Sequence, residues 1–143
     1  MHANRLIVAD DHKELRDRVV RDLEVEFSVA CCATDGLELL DAESRIKPDV
    51  IVLDISMPIM DGIEAATVLR ERDSKAKIVF LTMHDEPEFL QAALATGALG
   101  YVIKSRLATD LRLAVREAMA GRLFVSPCLS LASSQACFAD KRN

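Results

Sequence analysis

No apolar run in this sequence approaches the roughly 18 residues that a membrane span needs, so a membrane protein is not expected. The opening MHANRLIVADD meets two acids where a signal peptide would need its apolar region, and a cytoplasmic setting is the expectation. Positive charge is short: 18 Lys and Arg stand against 23 Asp and Glu, a formal net charge of -5. That balance argues against this segment itself binding nucleic acid or an anionic membrane through bulk charge. None of the four cysteines, Cys31, Cys32, Cys128 and Cys137, has CxxC spacing, and no histidine lies at a zinc-like interval from them. Cys31 and Cys32, in FSVACCA, read as small core hydrophobes, and reduced thiols fit a cytoplasmic protein. GxxxxGK[ST] is missing and no GxGxxG follows the first apolar run, so a nucleotide site is not supported. There is no internal repeat.

The chain has 143 residues, 50% hydrophobic and 29% charged, which suits one soluble globular domain. Short apolar runs alternate with longer segments of helical period. The runs are Leu6-Ile7-Val8, Phe27 to Ala33, Val50 to Leu53, Ile78 to Leu81, and Tyr101-Val102-Ile103. Short, β-branched and apolar on successive positions, they read as strands of a parallel sheet buried on both faces. Between them, Asp11/Glu14, Asp35/Glu38, Asp61/Glu64 and Asp85/Glu88 each set an Asp three residues before a Glu, the spacing of a capping box. Pro87 fits a first helical turn, and Gly97 and Gly121 fit helix stops. Leu107, Leu111, Val115 and Ala118 line one face of a last helix. The pattern predicts an α/β fold: a single doubly wound (βα)5 domain over residues 1–121, with five parallel strands and helices on both faces. Residues 122–143, rich in Ser and Ala, read as a docked tail or the start of a linker.

In an open α/β sheet, ligands bind beyond the carboxyl ends of the strands. At those ends stand Asp10-Asp11, Asp54, Thr82 and Lys104. Asp11 has a second explanation as a helix cap; Asp54 has none, because the next helix signal comes only at Asp61. Crowded carboxylates repel and raise one another's pKa, and a hard divalent cation such as Mg2+ is the simplest way to tolerate them. A cation beside a carboxylate, with an amine and a hydroxyl facing it, suits phosphoryl transfer with the carboxylate as nucleophile.

Those residues carry a resemblance. IVADDH (7–12), VIVLDISMPIMDG (50–62), IVFLTMHDE (78–86) and GALGYVIKS (97–105) resemble the receiver domain of bacterial two-component response regulators. Together with GRLFVSP (121–127), they look most like the subgroup with a LuxR-type helix-turn-helix output. The resemblance implies Asp54 as phospho-acceptor from a sensor histidine kinase. It implies Mg2+ held by Asp11, Asp54 and the Ser56 carbonyl, with Asp10 acting through a water. Lys104 and Thr82 would meet the phosphoryl group, Tyr101 would be the switch aromatic, and Ser56 and His84 would tune phosphoryl lifetime. Met57, Pro58 and Gly62 would shape the loop that presents Asp54.

Such a protein is a regulator, catalysing only its own phosphorylation and dephosphorylation. It is expected to homodimerise on phosphorylation and to reach DNA only through an output domain outside this chain, with no membrane partner. The alternative is a stand-alone receiver that docks to proteins. Two positions depart from the family pattern: Ser105, where many receivers have a proline in a cis peptide, and Lys13, where the subgroup often has proline. His12 and His84 near the site read first as exposed loop or helix-start residues. An Asp-nucleophile phosphatase of the haloacid dehalogenase type needs a second acid two residues after the nucleophile, where this chain has Ser56.

Overall fold

The computed structural model describes residues 4–127. The strands β1 (Arg5–Ala9), β2 (Ser28–Ala33), β3 (Val50–Leu53), β4 (Lys77–Thr82), β5 (Gly100–Ile103) and β6 (Phe124–Val125) form one sheet in the order β2-β1-β3-β4-β5-β6. Every pairing is parallel. The helices are α1 (Lys13–Leu23), α2 (Gly36–Ile46), α3 (Gly62–Glu71), α4 (Pro87–Ala95) and α5 (Leu107–Met119), and a 3-10 turn spans Lys104–Arg106.

Alternation along the strands assigns the two faces. Leu6 and Val8, Val50 and Val52, Val79 and Leu81 pack with Val19 and Leu23 of α1 and with Leu111, Ala114, Val115 and Ala118 of α5. Ile7 and Ala9, Ile51 and Leu53, Ile78 and Phe80 pack with α2, α3 and α4 through Leu39, Leu40, Ala65, Leu69, Leu90 and Ala93. Strand order reverses at β1, because the chain turns outward to β2 and then back across to β3. The crevice at the carboxyl ends of β1 and β3 is the topological switch point of the sheet.

The doubly wound architecture, the Pro87 start of α4 and the apolar stripe of α5 agree with the sequence reading. Gly97 and Gly121 follow α4 and α5 with φ of 90° and 79°, the left-handed region that a glycine enters without a Cβ penalty. Three details differ, and the geometry of one peptide, open in the sequence, is now given. The sheet gains a sixth strand, because Phe124 and Val125 pair with Gly100 and Tyr101. β2 is an edge strand with alternating exposure, and there Cys31 is half-buried against the core while Cys32 is exposed.

Only Asp61/Glu64 closes a full capping box among the four predicted. Asp35 accepts from the Glu38 N–H, but the Glu38 carboxylate turns to the N–H and hydroxyl of Thr34. The residues at the start of α1 and α4 are His12 and Glu86, neither with a side-chain cap bond, so Asp11 and Asp85 are not caps. Finally, the described residues contain no cis peptide, so Lys104-Ser105 is trans. Cys128, Cys137 and most of the tail lie outside the described residues. Among the described residues no helix is long and apolar enough to cross a membrane.

Candidate functional site

Each strand that borders the crevice ends on a polar residue. β1 runs into Asp10, β3 into Asp54 and β5 into Lys104, while Thr82 is the last residue of β4. All four are buried. The backbone holds them there: Asp54 N–H donates to the Ala9 carbonyl at 2.9 Å and Asp10 N–H to the Ala33 carbonyl at 3.0 Å, continuing the ladder past the strand ends. Arg16 of α1 reaches back to the Asp10 carbonyl at 2.8 Å.

The loop after β3 is shaped by Gly62. A Cβ there would meet the Asp54 carbonyl oxygen at 2.1 Å, and the Gly62 N–H bonds to the Ile55 carbonyl at 2.7 Å. The loop therefore folds directly against the backbone of Asp54, an approach that only glycine allows.

Lys104 Nζ lies 3.3 Å from Asp10 Oδ2 and 3.3 Å from Asp54 Oδ2. One ammonium thus faces two buried carboxylates. Beyond this ion pair the buried Asp54 Oδ2 accepts no hydrogen bond, while Oδ1 accepts a long one from the Ser56 N–H at 3.3 Å. Burial pushes the Asp54 carboxyl above its ordinary range and the neighbouring Asp10 charge adds to this, against the pull of Lys104. Asp11 stands at the rim with its side chain 30% exposed. Carboxylate oxygens of Asp10, Asp11 and Asp54 and a ring nitrogen of His12 lie within 4.8 Å of one another. An oxygen-rich cluster that contains a buried carboxylate oxygen accepting no hydrogen bond fits a divalent cation.

The neighbouring residues form a second, connected group. Thr82 Oγ1 accepts from the His84 N–H at 3.1 Å, and the buried Tyr101 hydroxyl donates to the His84 carbonyl at 3.0 Å. Burial, followed by the charges of Glu86 and Asp85, pushes the Tyr101 hydroxyl well above its usual range, so the phenol stays protonated and can donate. The His84 ring bonds Ser56 Oγ through Nε2 at 2.7 Å and stacks on Phe89 of α4 with centroids 4.0 Å apart. His84 therefore ties the loop after β3, the end of β4, β5 and α4 together, which is more than the exposed loop residue expected from sequence.

Two groups escaped the sequence reading. Arg16 carries no motif beyond its helical position. Ser126 and Asp110 are both buried, and their hydrogen bond joins the chain after β6 to α5; the sequence signal for a folded tail was GRLFVSP, which names no partner for Ser126.

A parallel sheet with carboxylates and a lysine gathered at its switch point defines a doubly wound α/β domain with an acidic site at its carboxyl edge. The family model described as the response regulator receiver domain matches residues 6–116, and the chain belongs to that family. It is 36% identical to the transcriptional regulatory protein NarL of Mycobacterium tuberculosis over 127 residues, 87% of this chain and 59% of that protein. It is 34% identical to the transcriptional regulatory protein DegU of Brevibacillus brevis over 125 residues, 86% of this chain and 53% of that protein. The chain thus spans between half and two thirds of these relatives. It also superimposes on a two-component response regulator of the LuxR family from Aurantimonas sp. SI85-9A1 with a TM-score of 0.88 at 32% identity, covering 94% of this chain and 97% of that one. The family's role is phosphorylation signalling, and its members are regulators rather than metabolic enzymes.

Proposed function

We propose that this chain is the cytoplasmic receiver segment, residues 1–121, of a transcription regulator. In this reading Asp54 takes a phosphoryl group from a sensor histidine kinase, and residues 122–143 lead toward a DNA-binding output. The observation that carries this reading is the Asp54 carboxylate, buried, raised in pKa and without a hydrogen bond on Oδ2, facing Lys104 at 3.3 Å. A strand-end carboxylate held by one ion pair and one long hydrogen bond, with no cap or turn to serve, is suited to act as a nucleophile.

Asp11, Asp54 and the Ser56 carbonyl would hold Mg2+, with Asp10 reaching it through a water. Bound there, Mg2+ supplies charge neutralisation for the phosphoryl oxygens. An Asp54 oxygen forms the new P–O bond as the P–N bond of phosphohistidine breaks. The departing imidazole keeps the electron pair and takes up a proton. Lys104 pairs with the transferred group by exchanging part of its interaction with Asp10 and Asp54. The Thr82 hydroxyl, which accepts from the His84 N–H, keeps its own proton for a phosphoryl oxygen.

Phosphorylation adds roughly -1.5 to -2 charge. Contacts from Thr82 and Lys104 to that charge would favour one conformer selectively, a population shift. Tyr101 is suited to carry the change, because its hydroxyl already bonds the segment that joins Thr82 to α4. The Ser56–His84 pair, bonded at 2.7 Å two residues from Asp54 and from Thr82, is suited to limit the water that hydrolyses the acyl phosphate. Homodimerisation is the expected consequence.

Incubation with Mg2+ and acetyl phosphate, followed by intact mass, tests the assignment. Addition of one phosphoryl group, lost in Asp54→Asn and in EDTA, is expected. Labelling of Asp54→Asn would remove Asp54 from the role, and unchanged labelling in EDTA would remove the metal.

A further inference from the structure

We propose that His12 is a ligand of the divalent cation, and that it shifts the site's preference from Mg2+ toward borderline transition-metal ions. The inference rests on the receiver-site reading above and concerns a residue to which that reading gives no role.

His12 starts α1, but its side chain does not cap the helix. Its ring turns to the crevice instead. Nδ1 lies 3.1 Å from Asp11 Oδ1 and 3.3 Å from Asp10 Oδ1, and the backbone N–H of His12 donates to that same Asp10 oxygen at 2.8 Å. Adjacent ligands of one octahedral ion stand about 3 Å apart when metal–ligand distances are about 2.1 Å. The Nδ1–Oδ1 spacing to Asp11 is of that size. The His12 ring nitrogen lies within 4.8 Å of carboxylate oxygens of Asp10, Asp11 and Asp54, and the buried Asp54 Oδ2, ion-paired with Lys104, accepts no hydrogen bond. Without a metal, Nδ1–H donates to Asp10 Oδ1; a bound cation would take the place of that proton, and the 67% exposed ring leaves Nε2 open to solvent.

The chemistry then differs from an all-oxygen site. Mg2+ is hard and gains little from imidazole. Co2+, Ni2+ and Zn2+ bind nitrogen well, and stability rises from Co2+ to Ni2+. Any oxygen site prefers these ions somewhat, so the prediction concerns how the preference changes when His12 is removed. The competing description of the same geometry is a protonated His12 that acts as a counter-cation to Asp10 and Asp11. It would weaken every divalent ion alike.

Calorimetric titration of the full chain with Mg2+ and, separately, Co2+ distinguishes the two. Both the native His12 and His12→Ala are measured in a His2→Gln background, which removes the other histidine near the amino terminus. Loss of about tenfold or more in Co2+ affinity, with Mg2+ changed less than about twofold, is expected. The Co2+ complex should also give a contact-shifted imidazole N–H proton resonance that disappears in His12→Ala. Equal changes for the two ions, or no change, overturn the inference. A gain for both ions overturns it in favour of the counter-cation. If the protein with His12 intact binds no Mg2+ and takes no phosphoryl group from acetyl phosphate, the receiver-site reading itself fails, and this inference with it.

Discussion

Ser126 Oγ donates to Asp110 Oδ2 at 2.9 Å inside the protein, while accepting from the N–H of Ile103 at 3.2 Å. Ile103 immediately precedes Lys104, and Ser126 follows the sixth strand. A single hydroxyl therefore fastens the departing chain to the end of β5, one residue from the lysine that faces Asp54. Asp110 is held in turn by Arg106 at 2.7 Å and Thr109 at 3.1 Å.

Ser126→Ala removes that hydroxyl, takes the side-chain acceptor from the buried Ile103 N–H and leaves Asp110 Oδ2 with Arg106 but without its second donor. A loss of about 1–3 kcal/mol is expected, measured as a lower urea midpoint with an unchanged slope. Weaker phosphorylation by acetyl phosphate should accompany it if β6 steadies Lys104. Full stability in the variant would mean that water replaces the hydroxyl.

Asp110 makes the same cluster sensitive to acid. Burial alone would raise its carboxyl, but the bonds from Arg106, Ser126 and Thr109 outweigh burial and hold it below the ordinary value of 3.8. A carboxyl depressed in the folded state contributes stability that is fully present above 3.8 and is lost as pH falls through the lower folded value. Asp110→Asn should therefore be less stable than the parent protein at pH 7, with the gap narrowing below that point. Urea unfolding of both proteins across an acid series checks it, and a gap independent of pH would contradict it.

Ile59 offers a gain in stability. It sits in the loop between β3 and α3 with φ of 72° and is 74% exposed, so a β-branched residue occupies left-handed backbone without burying its side chain. Ile59→Gly should relieve that strain at little packing cost, for a gain of about 1 kcal/mol. A lower thermal midpoint in the variant would show that the side chain contributes more than its conformation costs.

These cases also show what could be read from the residues. The doubly wound class was legible because buried parallel strands leave continuous apolar runs, and the clustering of Asp10, Asp54 and Lys104 followed from strand ends alone. β6 was not legible: a two-residue strand, Phe124-Val125, has no period. The helix starts misled for a related reason. Asp-x-x-Glu fixes a spacing, but at Asp11 the chain starts its helix one residue later, and that carboxylate faces the crevice. The Ser126–Asp110 bond spans 16 residues and two elements, which no local pattern encodes. The links from His84 to Ser56, Tyr101 and Phe89 likewise depend on how four segments meet.

The charges at the site should be felt as instability before they are used. Asp10 and Asp54 share one ammonium, and Asp54 Oδ2 accepts no hydrogen bond. Asp54→Asn removes a buried charge while Lys104 keeps Asp10 and the Ser56 N–H keeps its acceptor. In metal-free buffer at neutral pH the variant should melt about 3 °C or more above the parent protein. Lys104→Met should do the opposite, because it leaves two buried carboxylates without a counter-ion. Millimolar Mg2+ should raise the midpoint of the parent protein by ligand linkage and move Asp54→Asn much less. Thermal melts of the three proteins with EDTA and with Mg2+ give the result directly. If Asp54→Asn melts below the parent in EDTA, the carboxylate is a net stabiliser of the fold.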